Sequence, residues 1–291
     1  MSVKRFACTE DIPAILEIWK SGFPEDGETI PLDFLKTVHL EEECLLAEEG
    51  GIPVSMVFLL PCRLCGQGGG RPVQYIYAAA TLEAYRGLGI FSELLRAALA
   101  VGKARGQAGS FLRPAEESLE NYYAAFGYVP FFYTATHSVP ISEWKRPDDR
   151  ELPAETEAAP DYAALRERCL SAHPLYISWE KRFVTYAVQS AEQFGGKGIR
   201  FTFPEGPGCA LYDVSDDSLT VRELLCPPGR EDSCLRAIVR QQPCRVLRWR
   251  TPAASKNSAG VFGLWNPFTS PEKETFIPSC DRPPYMGLAL D

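Results

Sequence analysis

Apolar and polar positions divide the chain into short segments, and the clearest pattern lies between residues 73 and 104. Val73-Gln-Tyr-Ile-Tyr-Ala-Ala-Ala-Thr81 is almost continuously apolar and contains aromatic residues and a β-branched start, the pattern of a buried strand. Arg86-Gly-Leu-Gly89 interrupts it. Ile90, Leu94, Leu95, Ala98 and Leu99 then recur at the three-and-four spacing of one helix face. Strand, glycine turn and helix are therefore expected in that order.

The flanking pattern supplies the rest of a domain. Residues 3–8 predict a strand. Thr9, with Glu10, Asp11 and Pro13 behind it, predicts a helix start whose apolar face is Ile12, Ile15, Leu16 and Trp19. A short helix over 31–38 and strands over 44–48 and 53–63 follow, the two strands joined by a Glu49-Gly-Gly51 hairpin. Gln67 to Pro72 is glycine-rich but lies between two strands, so it reads as a hairpin loop rather than a phosphate cradle. A strand over 108–113, a helix over 118–126 and a strand over 128–138 complete the unit.

From 141 to 160 the chain turns polar and proline-bearing, which predicts a linker between domains at 1–140 and 161–291. The second half predicts helices over 161–170 and 175–194, strands over 199–203, 209–214 and 219–225, a helix over 230–240, and strands over 245–250 and 285–290. This succession repeats that of the first half and suggests a divergent second copy. The expected class is α/β (α+β), a mixed central sheet flanked by helices.

A length of 291 residues accommodates two domains, each with its own core. A net charge of −8 leaves no basic stripe for nucleic acid and is compatible with a cationic substrate. No apolar run reaches membrane-spanning length and no secretion signal opens the chain, so a cytoplasmic protein without membrane contact is expected. The ten cysteines are scattered and read as reduced thiols; Cys62 and Cys65 form a lone C-x-x-C, and no metal site is expected. His39, His137 and His173 are far apart and read as structural.

The glycine turn is where chemistry concentrates. Gly87 and Gly89 allow close backbone approach, the first N–H groups of the following helix lack intrahelical partners, and Arg86 adds charge, so residues Arg86, Gly87, Leu88, Gly89, Ile90 and Phe91 form a candidate anion site. A purely structural glycine turn is the alternative. Rossmann and P-loop patterns are excluded: Ser92 occupies the third glycine position, and no Lys-Ser/Thr pair follows.

In register, Ala84-Tyr-Arg-Gly-Leu-Gly89 resembles the acyl-CoA signature Q/R-x-x-G-x-G/A of the GNAT superfamily of N-acetyltransferases, with Ala84 departing from its first position. Tyr123-Ala-Ala-Phe-Gly127-Tyr128 resembles that family's later Y-x-x-x-G-F/Y segment. The resemblance implies a GNAT fold, acetyl-CoA as cofactor, and backbone contacts to it from Ala79, Ala80 and Thr81. It also implies Tyr123 as the general acid toward the sulfur. A similarity to two-lobed members of the enhanced-intracellular-survival type implies a second, degenerate GNAT-like domain and the C-terminal carboxylate of Asp291 as a catalytic group. Glu83 and Glu116 are the nearest carboxylates to the central strand, and neither lies on it. In the second half the matching junction, Cys226-Pro-Pro-Gly-Arg230, has two prolines without N–H groups, so no cofactor is expected there. The implied function is acetyl transfer to a primary amine of a small molecule, with a peptide amine, or acyl-CoA binding without catalysis, as alternatives. Oligomeric state is left open by the sequence.

Overall fold

The computed structural model describes residues 3–66, 69–144, 155–215, 217–268 and 282–290. Its elements run β1 (Val3–Phe6), α1 (Ile12–Gly22), α2 (Thr29–Leu35), α3 (Leu40–Glu43), β2 (Cys44–Glu49), β3 (Ile52–Gly66) and β4 (Gly69–Thr81). They continue through α4 (Ile90–Ala104), β5 (Gly109–Leu112), α5 (Glu120–Ala124), β6 (Val129–Pro140), β7 (Glu155–Ala158), α6 (Tyr162–Leu170), β8 (Leu175–Trp179) and α7 (Lys181–Gln193). The last are β9 (Lys197–Phe203), β10 (Gly206–Ser215), β11 (Ser218–Leu225), α8 (Glu231–Gln241), β12 (Val246–Pro252) and β13 (Gly260–Pro267).

The chain forms two compact units, one of Met1–Pro130 with Gly263–Phe276 and the other of Phe131–Phe262 with Ile277–Asp291. This differs from a division at 140 and 160. The expected linker carries β7, which pairs antiparallel with β9 from Glu155↔Thr202 to Ala158↔Ile199; residues 145–154 of it lie outside the described residues.

In the first unit the sheet runs β1-β2-β3-β4-β5-β13. Neighbours are antiparallel except β4 and β5, which are parallel and joined through α4. The strand beside β5 is not β6, the next in sequence, but β13, through Leu264↔Leu112 to Pro267↔Gly109. A β-carbon on Gly109 would lie 2.3 Å from the Trp265 ring, so a glycine is needed where β13 packs this closely. The hairpin glycines Gly50 and Gly51 both have positive φ, as a two-residue turn requires. The expected 67–72 loop is shorter than its composition suggested: Gly66↔Gly69 and Cys65↔Gly70 are paired, and Gln67 and Gly68 lie outside the described residues.

Two cores flank this sheet. Val57, Leu59 and Ile76 pack against Ile90, Leu94, Leu95 and Ala98 of α4. On the opposite face Trp19 and Phe34, from α1 and α2, meet Phe58 and Tyr77 with ring centroids 4.9 to 6.1 Å apart. The start of α1 departs from a Thr9 cap. Thr9 lies in a 3-10 turn, and Asp11 anchors the segment through a bidentate pair with Arg5 at 2.6 and 2.7 Å, which holds its carboxyl well below the usual range.

The second unit repeats the connectivity. Its sheet runs β7-β9-β10-β11-β12-β6, with β11 and β12 parallel and joined through α8. β6 pairs antiparallel with β12, from Pro140↔Val246 to Thr134↔Pro252. Each sheet thus takes its last strand from the other half of the sequence. The run 175–194, expected as one helix, is β8 followed by α7. Leu175, Ile177 and Trp179 are buried and alternate with half-buried Tyr176 and Ser178, the period of a strand.

In place of the expected terminal strand, Pro283 to Leu290 form a buried segment that makes a parallel bridge at Tyr176↔Tyr285. It is held by side chains. Arg166 and Glu223, both fully buried, pair at 2.9 Å. Arg166 also donates to the Met286 carbonyl at 3.3 Å, and the Tyr285 hydroxyl donates to Glu223 at 3.1 Å. A β-carbon on Gly287, whose φ is +70°, would meet Glu223 Oε1 at 2.2 Å. Such a pair is worth most as a fixed anchor, because removing one partner would leave the other charge buried.

Candidate functional site

The site grows out of a defect in β4. Between Tyr77 and Ala80 the strand carries one residue more than its partner β3, whose Phe58 and Met56 face those two positions. Ala78 has φ +43°, a left-handed conformation costly for a residue with a β-carbon. A bulge of this kind bends the strand and increases its twist. Pairing of β4 with β5 stops at Tyr75↔Phe111, although β4 runs on to Thr81. β4 therefore runs on past the end of its ladder with β5. The alanine run expected to allow close approach is also the place where the strand departs from its neighbour.

The far end of β4 is fixed from the β3 side. Ser55 Oγ donates to the Ala80 carbonyl at 2.9 Å and lies 2.8 Å from Thr81 Oγ1. Arg86 does not extend toward the glycine turn as a free cation. Its Nε donates to the Thr81 carbonyl at 3.0 Å, and its Nη2 donates to the Ser21 carbonyl at 2.7 Å and approaches Ser21 Oγ at 3.3 Å. It ties the strand end to the last turn of α1. Gly22 of that turn packs so closely that a β-carbon there would lie 2.6 Å from that of Ala80.

After a 3-10 turn over Glu83–Tyr85, Gly87 and Gly89 take φ of +77° and +79°. Nothing lies within 4 Å of a β-carbon built on either, so the requirement is conformational rather than spatial. Gly89 is the N-cap of α4, and no side chain caps it. The first-turn N–H groups at Ile90 and Phe91 are left to whatever approaches the loop, with the positive end of a 15-residue helix behind them.

Tyr123 is set by the end of α5. The Tyr128 N–H donates to the Tyr123 carbonyl at 3.3 Å and the Gly127 N–H to the Ala124 carbonyl at 3.0 Å, while Gly127 has φ +90°. This is a Schellman ending, and the Y-x-x-x-G-Y spacing is its sequence form. Asn266 of β13 donates to the Phe126 carbonyl at 2.7 Å and fixes the turn from outside. The Tyr123 ring stands edge-on to Tyr122 and Tyr128 at 5.4 and 5.9 Å. It shares a cluster with Ile90, and Ala79, Leu82 and Phe91 pack against that cluster. Tyr122 stacks on Phe91 and lies 2.9 Å from Ser92 Oγ, tying α5 to the first turn of α4. No group among the described residues hydrogen-bonds the Tyr123 hydroxyl, and burial pushes its pKa up to about 12.

Ala79, Ile90, Phe91 and Tyr123 thus lie in or against one cluster, with Thr81 tied to Arg86 at the start of the glycine turn. Glu83 and Glu116 are exposed. Asp291 lies outside the described residues. A carboxylate that periodicity did not single out is Asp26, in the turn after α1: it accepts from Trp19 Nε1 at 2.8 Å, and burial raises its pKa. Asn266 was equally hidden, because it arrives from a strand 139 positions after Gly127. Among the described residues no cluster of three or more ligating side chains is arranged for a metal, and no helix is long and apolar enough to cross a membrane.

Residues 4–131 match a family model described as an acetyltransferase (GNAT) domain. No functionally curated protein matches the sequence. Among solved structures, a GCN5-related N-acetyltransferase from Anabaena variabilis superposes with a TM-score of 0.73 at 16% identity, covering 91% of this chain and 72% of that one. A conserved protein from Enterococcus faecalis described as a probable N-acyltransferase gives 0.72 at 16% identity over the same shares. Eis1 from Mycobacterium abscessus gives 0.67 at 15% identity, covering 92% of this chain and 73% of that one. At these identities the likeness establishes the fold, and its coverage reaches into the second unit.

Proposed function

Since residues 4–131 are a domain of the acetyltransferase (GNAT) family, whose acetyl donor is acetyl-CoA, we propose that the protein is an acetyl-CoA-dependent N-acetyltransferase acting on a primary amine of a small molecule. The observation that carries this reading is the parting of β4 from β5 beyond Tyr75, immediately before an uncapped helix N-terminus. The fit to a CoA is chemical: a strand end that has left its ladder, at Ala79 to Thr81, suits an extended amide-bearing arm, and a glycine-bounded turn before an uncapped helix suits a pyrophosphate.

When bound, acetyl-CoA supplies an activated thioester. The Gly87 to Phe91 turn holds the pyrophosphate through backbone N–H groups, and the strand end of Ala79 to Thr81 orients the arm. Arg86 keeps strand and turn in register by holding Thr81 to Ser21. Tyr123 donates a proton toward the departing sulfur. Its raised pKa would oppose transfer to a thiolate in water, whose pKa is about 8.5, but the desolvation that raises the phenol also raises a thiolate leaving beside it. Asp26 is offered as the group that takes a proton from the incoming ammonium. Its carboxylate attracts a cationic amine, and the net charge of −8 acts in the same direction. The second unit repeats the strand order around α8 and is read as a second GNAT-like copy that holds no CoA, since Pro227 and Pro228 remove two donors from the matching turn.

Thiol release from acetyl-CoA across a panel of small mono- and diamines and lysine-bearing peptides tests the reading. Small amines should be turned over and peptides should not. Preference for peptides would overturn the acceptor class, and binding of acetyl-CoA without release by any amine would favour a non-catalytic acyl-CoA binder. In the same assay Asp26→Asn should lower kcat/KM for the amine by about ten- to a hundredfold with acetyl-CoA affinity unchanged. Equal turnover would remove Asp26 from the mechanism.

A further inference from the structure

The second unit repeats more of the first than its strand order. Where Val221 and Glu223 face Tyr212 and Leu211, β11 carries one residue more than β10, as β4 does beside β3 at Ala78. The parallel ladder of β11 with β12 ends at Val221↔Trp249, although β11 runs on to Leu225 and β12 to Pro252. A bulge followed by a parallel ladder that stops short is also the geometry of the candidate donor site in the first unit. Here it borders a cavity of about 580 Å³, whose wall includes Leu225 of β11, Thr251 of β12 and the turn from Cys226 to Gly229.

The turn beside this cavity is poorly made for a pyrophosphate. Pro227 and Pro228 lack N–H groups, and Glu231 and Asp232 place two carboxylates in the first turn of α8. Positive charge reaches the wall elsewhere, from Arg168 of α6 and from Arg282. The acidic side chains of the wall are engaged: Glu205 accepts from Arg230 at 2.6 Å, and Glu231 accepts from Trp249 Nε1 at 2.6 Å.

His173 adds to the same wall an acceptor that lacks a donor, and its side chain is deeply buried, with the residue 7% exposed. Its Nδ1 lies 2.9 Å from the Leu175 carbonyl oxygen, an approach that requires the proton on Nδ1; the Leu175 N–H, at 3.4 Å, is the weaker neighbour of that atom. Burial, with the charge of Arg282 acting in the same direction, lowers the imidazole pKa to about 4. The ring is therefore neutral at pH 7, and Nε2 holds a lone pair. Nε2 is buried and has no hydrogen-bond partner. An acceptor left unpaired in this way is costly, and a ligand N–H supplies what it lacks.

We propose that this cavity is a binding site for an N-acylated amino acid, whose amide N–H donates to His173 Nε2 and whose carboxylate is held by Arg168 and Arg282. The apolar side chain of the ligand meets Leu225 and Pro227. The parting of β11 from β12 suits an extended amide, as the matching parting of β4 from β5 does in the first unit. Charge selects the acylated form. A free amino acid brings an ammonium to a wall that carries two guanidiniums, whereas an acylated nitrogen is a neutral donor.

The test is calorimetric titration of N-acetyl-L-leucine into the full-length protein, against three comparison probes: L-leucine, N-acetyl-N-methyl-L-leucine, which lacks the N–H, and N-acetyl-L-leucinamide, which lacks the carboxylate. N-acetyl-L-leucine has no free amine, so acetyl transfer in the first unit cannot consume it. Saturable binding is expected, weaker by about tenfold or more for each comparison probe, with hydrogen-exchange protection at 168–173 and 224–231. In His173→Phe the difference between the acetyl and N-methyl probes should vanish, and in Arg168→Gln the difference between acid and amide should narrow, with thermal unfolding reporting that each variant is folded. If His173→Phe does not fold, the wild-type protein decides: equal binding of the acetyl and N-methyl probes overturns the proposal. Absence of saturable binding, protection confined to the first unit, or an N–H preference that persists in folded His173→Phe would each overturn it as well, whether or not the first unit turns over acetyl-CoA.

Discussion

Replacing Tyr123 with phenylalanine is expected to lower kcat by roughly ten- to a thousandfold while leaving acetyl-CoA affinity within about twofold of wild type. The ring sits in a cluster with Tyr122, Tyr128 and Ile90, and phenylalanine preserves that packing. The hydroxyl has no hydrogen-bond partner among the described residues, so its removal costs the folded protein little. What is lost is a donor needed only as negative charge develops on sulfur, and such an interaction belongs to the transition state rather than the bound state. Because burial holds the phenol near 12, the wild-type enzyme should show no loss of activity from Tyr123 ionisation at any pH up to about 11. Pre-steady-state thiol release by wild type and variant at saturating acetyl-CoA measures the effect. Equal rates would make Tyr123 a packing residue and leave the sulfur to be protonated by water.

The parts of this site legible in the sequence are those coded locally. The strand, the glycine turn and the face of α4 follow from the period of apolar residues between Val73 and Leu99. The Tyr123 to Gly127 spacing is readable because a Schellman ending needs its glycine at a fixed distance from the residue whose carbonyl it helps satisfy. What depended on pairing with distant strands was hidden. The bulge at Ala78 exists only relative to the register of β3, and three alanines carry no mark of it. β13 joins β5 from the far end of the sequence, so neither Asn266 beneath the Tyr123 turn nor the exchange of β6 into the second sheet had a local signal. Leu175 to Trp179 read as helix because its alternation is only five residues long and runs directly into α7. Arg86 carried the charge expected of an anion ligand. The carbonyls of Ser21 and Thr81, one of them 65 positions away, decide where its guanidinium goes.

Replacing Gly89 with valine is expected to weaken acetyl-CoA binding by at least about a hundredfold. At φ +79° a β-branched residue is forced either to remain in a left-handed conformation at a cost of about 1–3 kcal/mol or to rotate out of it. The second course turns the N–H groups at the start of α4 away from the loop. The substituent itself meets open space, since no atom lies within 4 Å of a β-carbon there, so the fold should survive and the damage should fall on the ligand. Leu88→Ala is the matched control: its side chain is 68% exposed on the same turn and leaves the backbone free to keep its shape. Calorimetric titration of acetyl-CoA into wild type, Leu88→Ala and Gly89→Val, with thermal unfolding in parallel, tests most directly whether the first unit holds the acetyl donor at this helix start. The predicted result is near-equal binding by the first two and no measurable heat from the third at similar stability. Undiminished affinity in Gly89→Val would contradict the assignment of the donor site.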